Sequence, residues 1–407
     1  MAPKQKKRPE IVAPAGNIEK LKFAVLYGAD AVYFGGATLN LRVQSDNFTR
    51  EDIEEAVGFC RGHGARSVFL LNSFLHEKNI PEAKRYLASI RDLDFDALMV
   101  SDPGMIALIR DTGVRAEIHL STQMSTLNHL AARFWTSAGV KRIVLGREAT
   151  VDEVRMIKEN SDAEIEVFVH GSLCVAYSGR CLLSRYLTGR DANLGDCAQP
   201  CRWRYTLTEE KRPGEELEIV EYPSGTEILS SKDLCLVERI GEYAEAGADA
   251  FKIEGRMKSV YYTANTARVY RHALEHATQC DFASFVPFYR EELDLVSHRP
   301  YTDDLFNEFG GAGFGPMPTV KKALFLGFRT GTGADGSPLI KALNPIYRNE
   351  QVEAIFPIEG AVRDAAFTVR KILNPDGEPV DMARPNTVCS FVFDREMGEH
   401  AILRSRL

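Results

Sequence analysis

The sequence predicts an α/β fold, a (β/α)8 TIM-barrel-like domain followed by a small C-terminal β-barrel domain. Three observations predict it. Eight short runs rich in Val, Ile, Leu and Phe recur along the chain, and amphipathic helical patterns separate them. From residue 323 the texture changes to short alternating strands broken by turn signals. Continuous apolar strands alternating with helices are the sequence form of a parallel sheet covered by helices, and eight such units suggest closure into a barrel. A doubly wound open sheet is the alternative arrangement of the same units.

In chain order, the runs are EIVAPAG at 10–16, AVYFGG at 31–36, SVFLLN at 67–72 and ALMVSD at 97–102. AEIHLST at 116–122, RIVLGRE at 142–148, EIEVFVHG at 164–171 and AFKIEGR at 250–256 complete the set. Helical patterns such as REDIEEAVGFCRGHG and TVDEVRMIKEN lie between them. GADAVYFGG at 28–36 is echoed by GADAFKIEGR at 247–256, each a helix end, a glycine and a new strand, and reads as a weak βα repeat. The spacing breaks once, between the seventh run and the eighth, where roughly 80 residues stand in place of one βα unit; such excursions are usually functional. After the helix YYTANTARVYRHALEHA and the extended FGGAGFGPMP come FLGFRTG, PLIKAL, QVEAIFP, AAFTVRKIL and TVCSFVF, with ADGS and NPDG as turns. The expected domains are therefore 1–315, with a cysteine-rich segment at 171–235, and 320–407.

The chain has 407 residues, of which 44% are hydrophobic and 26% charged, enough to bury a large core. A net charge of -7 excludes coating of nucleic acid by bulk charge and leaves only local basic contacts. No run approaches the ~20 apolar residues of a membrane span. The opening MAPKQKKRPE is basic with no apolar stretch behind it, so it reads as a frayed tail and not a secretory signal. The expected compartment is the cytoplasm, where clustered thiols more often bind metal or do redox chemistry than form structural disulfides.

A barrel of this kind builds its site at the C-terminal ends of its strands. The residues expected there are Asn72, Asp102, His119 with Gln123 just beyond, Arg147, Glu148, His170, Glu254 and Arg256. His170, Glu254 and Asp102 are the candidates for proton transfer. Arg147, Arg256 and Arg42 suit a planar anion such as a carboxylate, with Asn72 and Gln123 as further substrate contacts. The plainer alternative is that each caps a helix or pairs with a neighbour.

Cys174, Cys181, Cys197 and Cys201 follow a C-x6-C-x15-C-x3-C pattern, with Gly179, Gly189 and Gly195 supplying turns. Zinc ribbons are dominated by C-x2-C knuckles, and four thiolates suit either Zn or an iron–sulfur cluster. Cys235 is an alternative fourth ligand, while Cys60 and Cys389 read as core residues. Arg180, Arg185, Arg190, Arg202 and Arg204, interleaved with Tyr186, Trp203 and Tyr205, make a local basic and aromatic surface suited to single-stranded RNA. Salt bridges that close the segment onto the barrel are the competing explanation.

EVFVHGSLCVAYSGRCLLS resembles the signature of peptidase family U32, and the resemblance extends through APAGN, GADAVYFGG, SDPG, HLSTQMSTLN, GRDANLGDCAQPCRWRY, SSKDL and KIEGRMKS. Within that family the chain is most similar to the branch that 5-hydroxylates the wobble uridine of tRNA in a prephenate-dependent reaction without O2. Related branches hydroxylate a cytidine of 23S ribosomal RNA or a ubiquinone precursor. The resemblance implies a 4Fe–4S cluster rather than Zn, with Cys174, Cys181 and Cys197 at cluster positions and Cys201 as the ligand that fits the RNA-modifying branches. It also implies tRNA as partner and a dicarboxylate, prephenate, as co-substrate. Some members are classed as collagenases, but Ser178 in AYSGR does not fit the G-x-S-x-G elbow and there is no H-E-x-x-H motif. An RNA-binding factor without turnover is the third class.

Overall fold

The structure is a computed structural model that describes residues 8–40, 47–173, 183–190, 197–198, 200, 207–208, 216–217, 220–222, 225–227, 232–303, 319–357 and 365–407. Seven parallel strands follow one another around a barrel: β1 Glu10–Pro14, β2 Ala31–Phe34, β3 Arg66–Leu71, β4 Ala97–Val100, β5 Glu117–Leu120, β6 Arg142–Val144 and β7 Glu164–Ser172. A short antiparallel strand, β8 (Asp233–Cys235), pairs with the end of β7. The eighth barrel strand, β9 (Ala250–Ile253), pairs in parallel with both β7 and β1 and closes the ring. All eight expected strands are present in the expected order, and closure replaces the open-sheet alternative. Strands β1, β2, β4, β6 and β9 are buried at every position, which is why their sequences run apolar rather than alternating.

The surrounding helices start where side chains can accept their first N–H groups. α1 (Ile18–Leu26) is capped by Asn17, and α2 (Arg50–Gly62) by a Thr49/Asp52 capping box. α3 (Ile80–Ile90) and α4 (Pro103–Thr112) carry proline in their first turn, while α5 (His129–Ser137) is capped by Asn128. α6 (Val151–Glu159) has a Thr150/Glu153 box. α7 (Leu183–Thr188) lies within the cysteine-rich segment; α8 (Ile240–Glu245) leads into β9, and α9 (Val260–His276) and α10 (Phe282–Asp294) follow it. None of the described helices is long and apolar enough to cross a membrane.

The N-terminal half of the barrel is held by charges inside an apolar wall. Arg142 lies 2.8 Å from Glu10 and 2.7 Å from Glu164, and Lys252 lies 2.8 Å from Glu166. These groups are buried or nearly so, and each charge has an opposite partner, as burial requires.

Six antiparallel strands form the second barrel: β10 Ala323–Thr332, β11 Pro338–Ala342, β12 Gln351–Ile355, β13 Ala365–Leu373, β14 Thr387–Phe393 and β15 Ile402–Arg406. Closure comes from β12 pairing with both β13 and β15. Its core contains Leu326, Ile340, Val352, Phe367, Phe391 and Leu403, and Cys389 is buried there as Cys60 is in the first domain. The two barrels are joined by buried polar contacts. Arg404 places both terminal nitrogens 2.7 Å from the two oxygens of Glu292, which Arg268 also contacts at 2.6 Å. The expected boundary between 315 and 320 falls at residues that are mostly outside the described set.

Candidate active site at the barrel mouth

Glu254 stands one residue beyond β9, and its backbone N–H donates to His170 O at 2.8 Å. Gly171 makes this approach possible: it has φ +106°, and a Cβ there would lie 2.4 Å from Glu254 O. Tyr33 on β2 reaches across, placing its hydroxyl 3.0 Å from Glu254 Oε2 and 3.0 Å from Ile253 O. Burial, and then the negative charge of Glu254, hold the Tyr33 phenol well above its ordinary pKa, so it remains a proton donor. The Lys252 ammonium sits 4.0 Å from the centre of the Tyr33 ring. Burial raises the cost of ionising Glu166 beneath it, but Lys252 and Arg142 outweigh that cost and hold the carboxyl below its usual range. A continuous stack thus runs from Glu166 through Lys252 and Tyr33 to Glu254 at the rim.

The fields of two guanidiniums, Arg256 and Arg147, reach Tyr33. Arg256 is buried and donates to Asn40 Oδ1 at 3.0 Å and Asn47 Oδ1 at 3.3 Å. Gly16 is the close-approach residue here, since a Cβ would lie 2.5 Å from Arg256 O. Arg147 lies over the Phe168 ring, 4.0 Å from its centre, beside a cleft of about 120 Å³ that Glu148, Tyr243 and Arg239 also line. The fields of Arg256 and Arg147 both reach Tyr33, which places the four groups in one electrostatic site. Arg42, expected with them, lies outside the described residues.

Asn72 and Gln123, expected as substrate contacts, bond to each other. Asn72 Nδ2 donates to Gln123 Oε1 at 3.0 Å, Gln123 Nε2 returns a bond to Asn72 O at 3.0 Å, and Ser101 and Ser121 also donate to Gln123 Oε1. The amide orientation is therefore fixed, with β3 tied to the turn after β5.

Asp102 is engaged by two backbone donors. It is expected as a proton-transfer group, yet it caps α4: Oδ1 accepts from Gly104 N and Oδ2 from Leu75 N, both at 2.7 Å. A carboxylate engaged by two backbone donors holds its loop and helix.

His170 faces away from the mouth. Alternation along β7 would aim it into the mouth with Glu254, but a register shift between Lys252 and Ile253 pairs it with Ile253. Residues paired across neighbouring strands share a face, so His170 turns the same way as Ile253, toward α9. Its ring lies among Tyr262, Tyr270 and Tyr301, with centroids 5.4 to 5.8 Å away. Burial, and then the positive fields of His298 and Lys258, push its pKa down to about 3. A fully buried imidazole of that kind stays neutral near pH 7. Opposite it on β8 stands Cys235, whose Sγ is 3.8 Å from the Tyr270 hydroxyl and whose thiol burial pushes up to about 11.

Cys174, Cys181 and Cys201 lie outside the described residues, and Cys197 is half-buried. Among the described residues, no group of three or more His, Cys, Asp or Glu side chains is arranged to hold a metal ion. The donor set of the proposed cluster therefore rests on four thiols spanning Cys174 to Cys201 in the sequence. Tyr33, Lys252, Glu166 and Asn40 are the site residues that sequence reasoning missed. Lys252 and Glu166 carried a usable signal, because a charge inside a continuous apolar strand must be paired when buried.

The family model described as peptidase family U32 matches residues 16–312. The chain is 37% identical to tRNA hydroxylation protein P1 of Bacillus subtilis, over 98% of this chain and 95% of that protein. It is 32% identical to tRNA hydroxylation protein P of Escherichia coli, over 92% of this chain and 91% of the relative. A 23S rRNA 5-hydroxycytidine synthase of Escherichia coli is 38% identical, over 66% of this chain and 39% of that longer protein. The family model covers most of the barrel with its rim, and the Bacillus protein nearly the whole chain: this protein belongs to peptidase family U32.

Proposed function

We propose that the protein is an RNA-modifying enzyme that hydroxylates C5 of the wobble uridine of tRNA, without O2 and with prephenate as co-substrate. The observation that carries this reading is the mouth itself: a carboxyl group fixed by a phenol that the fields of two guanidiniums reach, on a chain similar over nearly its full length to a tRNA hydroxylation protein. In this reading Arg147 and Arg256 receive the carboxylates of the co-substrate, each already oriented by Phe168 or by Asn40 and Asn47. Glu254 Oε2 takes the proton that leaves C5 and Tyr33 holds the carboxyl in place, while the co-substrate gives up a hydroxyl oxygen, accepts the two electrons of the oxidation and ends with a C–H bond in place of its C–O bond. The Asn72–Gln123 pair keeps the opposite side of the mouth rigid.

Cys174, Cys181, Cys197 and Cys201 would hold a 4Fe–4S cluster, with Cys235 the alternative for the fourth position. When bound, such a cluster supplies electron transfer or an iron that acts as a Lewis acid. On α7, Tyr186 is 87% exposed beside exposed Arg185, which suits stacking of an anticodon base next to phosphate contacts.

The reaction is tested with protein purified anaerobically, tRNA from a host that lacks the gene, and prephenate. Formation of 5-hydroxyuridine at the wobble position supports the reading. Iron-loaded protein that yields no product overturns it, as would 5-hydroxycytidine appearing in ribosomal RNA instead. Cleavage of peptides that survives extensive purification and is lost on changing one mouth residue would establish the peptidase reading.

A further inference from the structure

Buried side-chain oxygens without hydrogen-bond partners are rare in folded proteins, and each one calls for a ligand or an ordered water. Among the described residues, five of them fall in the loops at one rim: Thr38 Oγ1, Ser73 Oγ, Ser125 Oγ, Thr126 Oγ1 and Glu148 Oε2. These loops follow β2, β3, β5 and β6, at the C-terminal ends of the strands.

The backbone ties them into one arc. Ser73 N donates to Leu39 O at 3.2 Å, which joins the Thr38 and Ser73 loops. The Asn72–Gln123 pair bridges from there to the turn carrying Ser125 and Thr126. Gly146 N then donates to Thr126 O at 3.3 Å, and a Cβ on Gly146 would lie 2.6 Å from Glu148 Oε2. The Glu148 carboxyl also lines the cleft of about 120 Å³ that holds Arg147.

From this arc we infer that the rim from Thr38 to Glu148 is the recognition subsite for the target nucleotide, with Glu148 Oε2 accepting a hydrogen bond from a ligand N–H or O–H. The inference rests on the tRNA reading above and names the specificity determinant of the same site. Atom types choose the nucleotide over the dicarboxylate. Hydroxyls donate or accept, but a carboxylate oxygen only accepts and repels an anion. A uridine offers two donors of the required kind, the uracil N3–H and the ribose 2′-OH. The co-substrate's carboxylates belong with Arg147 and Arg256. Acceptance from N3–H also separates uracil from cytosine, whose N3 has no hydrogen. Enzymes acting on a base take it out of its stack and read its edge in this manner.

The test is binding, followed by turnover, of anticodon stem-loop RNAs carrying uridine, 2′-deoxyuridine or N3-methyluridine at the wobble position. The full-length protein is compared with Glu148→Gln, Glu148→Ala and, as a smaller perturbation, Thr126→Val, each checked for an unchanged melting curve. Wild type should discriminate against one analogue by about 10- to 150-fold, the range for a hydrogen bond to a charged group. The Glu148 variants should lose that discrimination, and Thr126→Val should weaken binding of all three RNAs. A 2′-deoxy effect assigns Glu148 to the ribose, and an N3-methyl effect to the base. Equal binding of all three RNAs by every variant overturns the inference and means that water alone fills the arc. A raised KM for prephenate with RNA discrimination intact also overturns it. Wild type that neither binds nor modifies any stem-loop defeats the tRNA reading instead.

Discussion

Replacing Tyr33 with Phe removes one oxygen and leaves the ring. The ring should stay in place, because the Lys252 ammonium 4.0 Å from its centre is attracted to the face of a phenyl group as well as a phenol. What is lost is the 3.0 Å contact to Glu254 Oε2 and the equal one to Ile253 O. A hydrogen bond to a charged group contributes about 1.5–3 kcal/mol. If it is expressed mainly in the transition state, where Glu254 must meet C5 of the base, Tyr33→Phe lowers kcat by about 10- to 150-fold, at ~1.4 kcal/mol per tenfold. The KM for tRNA should change little, since Tyr33 is buried beneath the rim. Single-turnover formation of 5-hydroxyuridine at saturating tRNA and prephenate measures the effect, with Glu254→Gln as the reference for loss of the proton acceptor. Activity of Tyr33→Phe within twofold of wild type while Glu254→Gln is inactive would refute the positioning argument. A fall in both to the same residual rate would support it, because the two groups act as one unit.

Three other expectations follow from the same contacts. His170 has a folded pKa of about 3 against an ordinary 6.5, so the unfolded chain binds the extra proton first, and its contribution to stability is complete above pH 6.5 and declines as pH falls toward 3. Urea titrations should show a loss of about 2 kcal/mol between pH 6.5 and 5 from this group, at ~1.4 kcal/mol per pH unit, and His170→Phe should flatten the profile by one proton; identical slopes would contradict the assignment. Arg404→Ala leaves the buried Glu292 with Arg268 as its remaining close cation from this network and should destabilise the protein by about 3–5 kcal/mol in denaturant unfolding, with earlier proteolysis of the C-terminal barrel. Cys197→Ser should cut the iron and acid-labile sulfide recovered from anaerobically purified protein while leaving the far-ultraviolet circular dichroism unchanged; full iron retention would remove Cys197 from the ligand set.

The barrel was legible because its strands are buried on both faces and therefore run apolar, and because amphipathic helical patterns separate them. Asp102 stayed ambiguous in the sequence, because Asp followed by Pro at a strand end fits a catalytic carboxylate and a helix cap equally well, and the structure adds the two backbone donors. The direction of the His170 side chain was not legible because a one-residue register shift leaves no trace in an apolar run, although the neighbouring Gly171 at positive φ hints at irregular backbone. Tyr33, Lys252 and Glu166 escaped notice because their meeting depends on β9 closing against both β1 and β7, a contact between residues distant in the chain. Glu254, Arg256 and Arg147 were legible as strand-end residues, since strand ends in a barrel converge on one rim whatever their order.

The most direct measurement is mass spectrometry of tRNA nucleosides from a strain lacking the gene and any paralogue of the same activity, complemented with wild type or Glu254→Gln. Wobble 5-hydroxyuridine should vanish on deletion, return with wild type and stay absent with Glu254→Gln. Unchanged 5-hydroxyuridine in the deletion strain would contradict the account.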